Sequence, residues 1–206
     1  TSVFEMPNTN PPTSTKVEFQ RKLDLAKNRM YCNYAFYFGA TADNADDLAS
    51  LKDLEGCCGI KLFAGSSTGN LLVDKEDDIE KVFKHASKVV AVHSEDEEIL
   101  NLRKKLIEKG NVKTHPVWRN EEVAMSSTRK IVKIAKRYNK KAHILHITTK
   151  EEVDFLSQNK GNITFEITPQ HLTFYAPDCY NKLGTYAQMN PPIRDKTHPV
   201  WRNEEV

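Results

Sequence analysis

Strand-like and helix-like segments alternate along this chain, and that alternation limits the folds open to it. Ser2 to Met6, Asn33 to Gly39, Gly56 to Ala64, Val89 to Val92, Ala142 to Ile147 and Ile163 to Ile167 read as short apolar or β-branched strands. Between them, Ser14 to Met30, Ala45 to Glu55, Asp77 to Ser87, Glu97 to Lys109, Glu121 to Tyr138 and Glu151 to Leu156 carry apolar residues at helical spacing. The first helix has an imperfect stripe through Val17, Phe19, Leu23, Leu25 and Ala26, and Gly110 reads as the stop of the fourth. Strand, loop, helix and strand at this pace imply a parallel sheet with right-handed crossovers. Such a chain can form a doubly wound sheet or part of a (β/α)₈ barrel. No Gly-x-Gly-x-x-Gly follows a strand, so the barrel of the TIM type, incomplete in this chain, is the favoured fold.

Composition narrows the function. The 206 residues are 39% hydrophobic and 28% charged, as suits a folded protein. Thirty Lys and Arg stand against 28 Asp and Glu, without the basic excess that marks a nucleic-acid partner. No apolar run approaches the roughly 20 residues of a membrane span, and no signal-peptide core is visible. Cys32, Cys57, Cys58 and Cys179 have no framework or zinc-ribbon spacing; they read as small hydrophobes in a reducing cytosol.

Both ends are unusual. The chain opens without Met inside a strand-like run, which suggests lost upstream sequence. Residues 196–206, KTHPVWRNEEV, repeat residues 113–123 letter for letter. Diverged solenoid repeats do not look like this. The first copy suits a helix start, with Asn120 as cap and Glu121 and Glu122 favouring the dipole. The expected division is a partial barrel over 1–195 and a join artefact of gene assembly over 196–206.

Parallel barrels carry their chemistry where strands end. Strand one closes in Met6-Pro7-Asn8, the third carries Lys61 among apolar neighbours, the fourth closes on His93, the fifth on His146 and the sixth in Thr168-Pro169-Gln170-His171. Taken singly, each strand-end histidine reads as a hydrogen-bonded structural residue. As a pair at adjacent strand ends, His93 and His146 read as metal ligands. For Lys61 two readings stay open: a desolvated amine that sheds its proton and takes up carbon dioxide as a bridging carbamate, or a stem that snorkels its charge to the mouth. The Gly65 to Gly69 loop could close over a ligand but lacks the Lys-Ser/Thr of a phosphate loop. Asp77, Asp78 and Glu80, like Glu95 to Glu98, read as solvated helix starts.

Taken together, MPNTNPPT (6–13), GIKLFAGSSTGNLLVD (59–74), AVHSED (91–96), HILHITT (143–149), ITPQHLTF (167–174) and MNPPIRD (189–195) resemble the bacterial dihydroorotases of the amidohydrolase superfamily. The resemblance runs in family order from residue 1 to about 195. It implies a (β/α)₈ barrel with two Zn²⁺ ions that interconverts carbamoyl-aspartate and dihydroorotate in pyrimidine synthesis in the cytoplasm. Lys61 would be the carboxylated lysine bridging the metals, and His93 and His146 would be ligands of the second metal. Asn8 would contact the substrate carboxylate and Asn190 the pyrimidine ring. Partners implied are the small-molecule substrate, a second copy of the chain, or aspartate transcarbamoylase, with no nucleic acid or membrane. Two elements of the family pattern are missing: the opening His-x-His with its Arg, and the final Thr/Ser-Asp-His-Ala-Pro aspartate. Asp195 is misplaced to replace the latter. The 206 residues alone are therefore expected to be inactive. The alternatives are a hydantoinase- or allantoinase-like cyclic-amide hydrolase and a non-catalytic scaffold of aspartate transcarbamoylase.

Overall fold

The computed structural model describes residues 1–66 and 70–194. The tip of the Gly65 to Gly69 loop, Asp195 and the repeated 196–206 segment lie outside the described residues. Six strands form one sheet: β1 (Ser2–Glu5), β2 (Asn33–Gly39), β3 (Cys57–Phe63), β4 (Val90–His93), β5 (Ala142–Ile144) and β6 (Ile163–Phe165). All pairings are parallel, and the spatial order is the chain order. A doubly wound sheet reverses direction at a switch point, whereas here every crossover steps the same way. That is the stave order of a barrel, and the described residues form an incomplete one.

Helices cover one face of this sheet. They are α1 (Lys16–Ala26), α2 (Glu76–His85), α3 (Glu97–Arg103), α4 (His115–Trp118), α5 (Glu121–Arg137), α6 (Lys150–Gln158), α7 (Pro169–Thr173) and α8 (Asp178–Leu183). Ile60, Leu62, Val90, Val92 and Ile144 meet Ile79, Val82 and Phe83 of α2 and Ile131, Val132 and Ala135 of α5 in the main core. Burying each such large side chain is worth about 1.5–3 kcal/mol, which fixes the strand register. The opposite face, with Lys61, Phe63 and His93, looks into the barrel.

Several elements differ from their sequence pattern. Only Phe19 and Ala26 of the α1 stripe are buried, while Val17 and Leu25 are exposed. Helix α3 ends at Arg103 and tightens into a 3₁₀ turn over Lys104–Leu106, so Gly110, at φ +85°, lies in the loop beyond it. Strands β5 and β6 stop at Ile144 and Phe165, short of Ile147 and Ile167. Asn120 occupies the N-cap position of α5 but makes no side-chain cap bond, and its buried Oδ1 has no partner. Helices α4 and α7, too short for a periodicity signal, carry a proline in the first turn, Pro116 second in α4 and Pro169 first in α7, where a missing N–H costs nothing. A satellite cluster of Ala176, Cys179, Tyr180, Ala187 and Ile193 anchors the segment that leads to Arg194. Among the described residues no helix is long and apolar enough to cross a membrane.

Candidate metal centre at the barrel mouth

Register places the site residues before any side chain is considered. Lys61 pairs with Ala91 and Phe63 with His93, so all four share the inner face. Ala91 pairs in turn with His143, which puts Ile144 and, by simple alternation, His146 on the outer face. His146 escapes that fate because the strand breaks after Ile144 and its backbone turns left-handed, at φ +40°. For a non-glycine residue this conformation is strained, and it swings the imidazole back toward the mouth.

His93 and His146 consequently face each other, His93 Nδ1 lying 3.1 Å from His146 Nε2 with ring centroids 4.8 Å apart. Two imidazole ligands about 2.0–2.1 Å from one four-coordinate ion would hold their nitrogens roughly 3.3 Å apart. The observed spacing fits a shared divalent ion. Lys61, 2% exposed, acts electrostatically on both histidines, its Nζ donating to the Leu62 carbonyl at 2.9 Å and standing 3.7 Å from the Phe63 ring centroid. Among the described residues no three His, Cys, Asp or Glu side chains gather as a metal site.

Burial governs the charges. It pushes the Lys61 ammonium well below its ordinary range, against the opposing pull of Glu166. His146 is held far down by burial and then by the positive charge His93 and Lys61 would carry, and burial also lowers His93 despite the Glu95 carboxylate. The site thus favours an uncharged amine and neutral imidazoles, the forms that react with carbon dioxide and ligate metals.

Around His93 lies an ionic network that the acidic run Glu95 to Glu98 did not suggest. Glu95 is not a solvated helix start: it is 1% exposed. Its Oε2 accepts from His93 Nε2 at 2.8 Å and from Arg119 Nη2. Its Oε1 accepts from Arg119 Nε at 3.2 Å and Arg194 Nη2 at 2.8 Å. Burial alone would raise this carboxyl, but His93 and the two guanidiniums outweigh it and hold it far down. Asp96 is buried too, capping α3 through Ile99 N–H at 3.2 Å. Glu98 alone of that run is exposed. Arg119, Arg194 and Glu166 are the site residues the sequence pattern missed; an arginine inside the apolar Pro-Pro-Ile-Arg run was the available signal. Glu166 follows β6, accepts from His143 Nε2 at 3.3 Å and faces Lys61 electrostatically.

The remaining predicted residues sit apart. Asn8, after β1, and Asn190, before Pro191, are both exposed, and among the described residues no hydrogen bond joins either to Lys61, His93 or His146. His171 is buried in α7, with Nδ1 2.6 Å from Thr168 Oγ1 and Nε2 3.1 Å from the Pro191 carbonyl.

The fold is that of the hydantoinases. L-hydantoinase (dihydropyrimidinase) from Arthrobacter aurescens superposes with a TM-score of 0.87 at 22% identity, over 96% of this chain and 46% of that one. D-hydantoinase (dihydropyrimidinase) from a Thermus species gives 0.80 at 19% identity over similar shares. In sequence, the chain is similar to curated dihydroorotases. That of Methanosarcina mazei is 30% identical over 94% of this chain and 44% of its own length, and that of Methanosphaera stadtmanae 26% over 97% and 46%. These relatives are archaeal rather than bacterial, and the chain spans less than half their length. No family profile matches it.

Proposed function

We propose that this chain forms the Lys61–His93–His146 side of a dihydroorotase active site, in a cytoplasmic enzyme that reversibly cyclises N-carbamoyl-L-aspartate to dihydroorotate for pyrimidine synthesis. The observation that carries the reading is the 3.1 Å approach of two inward imidazoles beside a buried lysine, in a chain similar to curated dihydroorotases. Lys61 as its carbamate, His93 and His146 would hold two Zn²⁺ ions. Bound there, such ions would polarise the amide carbonyl and provide a hydroxide nucleophile near neutral pH. The chain's own residues prepare that site. Burial lowers the Lys61 pKa, in the direction that favours the free amine carboxylation needs. Glu95 holds the His93 ring, and the positive φ of His146 aims the second imidazole. Asn8 and Asn190, in the loops after β1 and before Pro191, would contact the substrate carboxylate and ring.

The 206 residues contain no His-x-His, and their aspartates include none in the family's final motif. We therefore read 1–195 as part of the barrel and 196–206 as a join artefact, and expect the chain alone to be inactive. Sequencing the gene across residue 196 tests the artefact. A second copy of the barrel or aspartate transcarbamoylase is the proposed protein partner. The hydantoinase fold favours one competing substrate class, the cyclic ureides. Turnover of dihydroorotate and of hydantoin by the complete gene product separates the two. Zinc-dependent opening of dihydroorotate supports our reading; preference for hydantoin overturns it, and no turnover of either would favour a scaffold.

A further inference from the structure

A carboxylate offers about four acceptor sites on its two oxygens. In Glu95 all four are taken, by two Arg119 nitrogens, Arg194 Nη2 and His93 Nε2. The guanidinium nitrogens can only donate, and an ionised carboxylate has no hydrogen to give, so the His93 nitrogen facing it must donate as well. His93 therefore carries its hydrogen on Nε2, and in the neutral ring Nδ1 is left as a bare lone pair aimed at His146.

Arg194 is the member that ties this arrangement together. Its Nε donates to the Arg119 carbonyl at 2.8 Å and the Asn120 carbonyl at 3.1 Å, Nη1 to Thr148 Oγ1, and Nη2 to Glu95 Oε1 at 2.8 Å. One guanidinium, 1% exposed, thus stitches the α4–α5 joint, the loop after β5 and the end of β4. It lies four positions after Asn190.

We propose that Arg194 is a positioning residue: it holds the Glu95 carboxylate against His93, whose Nε2–H tautomer and ring orientation that carboxylate fixes, and so couples the Pro-Pro-Ile-Arg segment to the metal-ligating nitrogen. The tautomer claim stands on hydrogen-bond accounting alone, whereas its use in ligation rests on the function proposed above.

Long-range ¹H–¹⁵N correlation spectra of the metal-free, ¹⁵N-histidine-labelled chain test it. The parent should show His93 as the Nε2–H tautomer. Glu95→Gln, whose amide can donate, should move His93 toward Nδ1–H. Arg194→Gln, which keeps the Glu95 carboxylate but removes its clamp, should keep the Nε2–H tautomer and shift the Nε2 resonances as that hydrogen bond loosens, and Arg194→Lys, which keeps the charge but loses the fork, should restore the parent shifts in part. Zinc titration of the same proteins should show binding about 10–100-fold weaker in Glu95→Gln and Arg194→Gln. An Nδ1–H tautomer in the parent overturns the proposal even if neither variant folds, as does an unmoved tautomer in Glu95→Gln or His93 resonances in Arg194→Gln identical to the parent's. A tautomer that shifts as stated in a chain that binds no zinc supports the positioning role and removes the metal reading instead.

Discussion

His93 Nδ1 and His146 Nε2 meet at 3.1 Å although 53 residues of sequence separate them and strand alternation alone would place them on opposite faces of the sheet. The left-handed backbone at His146 reconciles the two. A strained conformation of this kind costs about 1–3 kcal/mol and persists only where the surroundings impose it.

That strain predicts an unusual substitution pattern. His146→Asn, a residue that tolerates positive φ, should leave unfolding free energy in the absence of metal within about 1 kcal/mol of the parent. His146→Val, β-branched, should lose about 1–3 kcal/mol more than Asn. Urea denaturation compares them; equal stability of the two variants would argue against the left-handed turn.

Gly65 gives a second structural test. A Cβ there would collide with the Glu95 carbonyl oxygen and approach its carbonyl carbon at 3.0 Å. Backbone cannot yield as a side-chain tip can. Gly65→Ala should therefore cost about 1–3 kcal/mol and shift the His93 ring resonances by displacing Glu95. A neutral Gly65→Ala would mean that β3 and β4 do not approach so closely at the mouth.

The residues that meet at the barrel mouth were legible to different degrees in the sequence, for physical reasons. Lys61 and His93 stand out because their strands are apolar runs, where a polar residue has to be explained. His146 could be nominated but not oriented, since its position depends on one backbone dihedral that alternation does not encode. Glu95 was misread because an acidic run before a helix looks solvated. Its arginine partners lie 24 and 99 residues away, beyond any local pattern. The barrel itself followed from segment alternation, whereas α4 and α7 span only 4 and 5 residues and give no periodicity to read.

Stability of the metal-free chain should fall with acidity. His93, His115 and His146 are all lowered from the ordinary 6.5, chiefly by burial. Below that value the unfolded chain takes up protons that the folded rings refuse. The penalty is absent at high pH and grows as pH drops from about 7 toward about 5, at up to about 1.4 kcal/mol per unit for each ring. Glu152, raised by burial, gains stability as pH falls and opposes this trend. The difference between parent and His146→Asn isolates one ring: the variant's pH profile should be shallower, and identical profiles would show that His146 titrates freely.

Lys61 should likewise burden the metal-free fold. Its folded pKa is lowered by burial, so below its ordinary 10.5 the folded chain binds this proton less tightly than the unfolded chain, a penalty that builds as pH falls from 10.5 and is complete below the folded value. Lys61→Met removes that penalty and should raise the metal-free unfolding free energy near neutral pH by on the order of 1 kcal/mol, while lowering bound zinc measured by plasma emission. A destabilised Lys61→Met would instead favour a lysine whose charge reaches solvent.

The most direct test is anomalous diffraction at the zinc edge from crystals of the chain grown with zinc and bicarbonate. The predicted result is a peak between His93 Nδ1 and His146 Nε2, about 2.0–2.1 Å from each, with density for a carbamate on Lys61. Imidazoles turned away from one another, or zinc bound only elsewhere on the surface, would contradict the account.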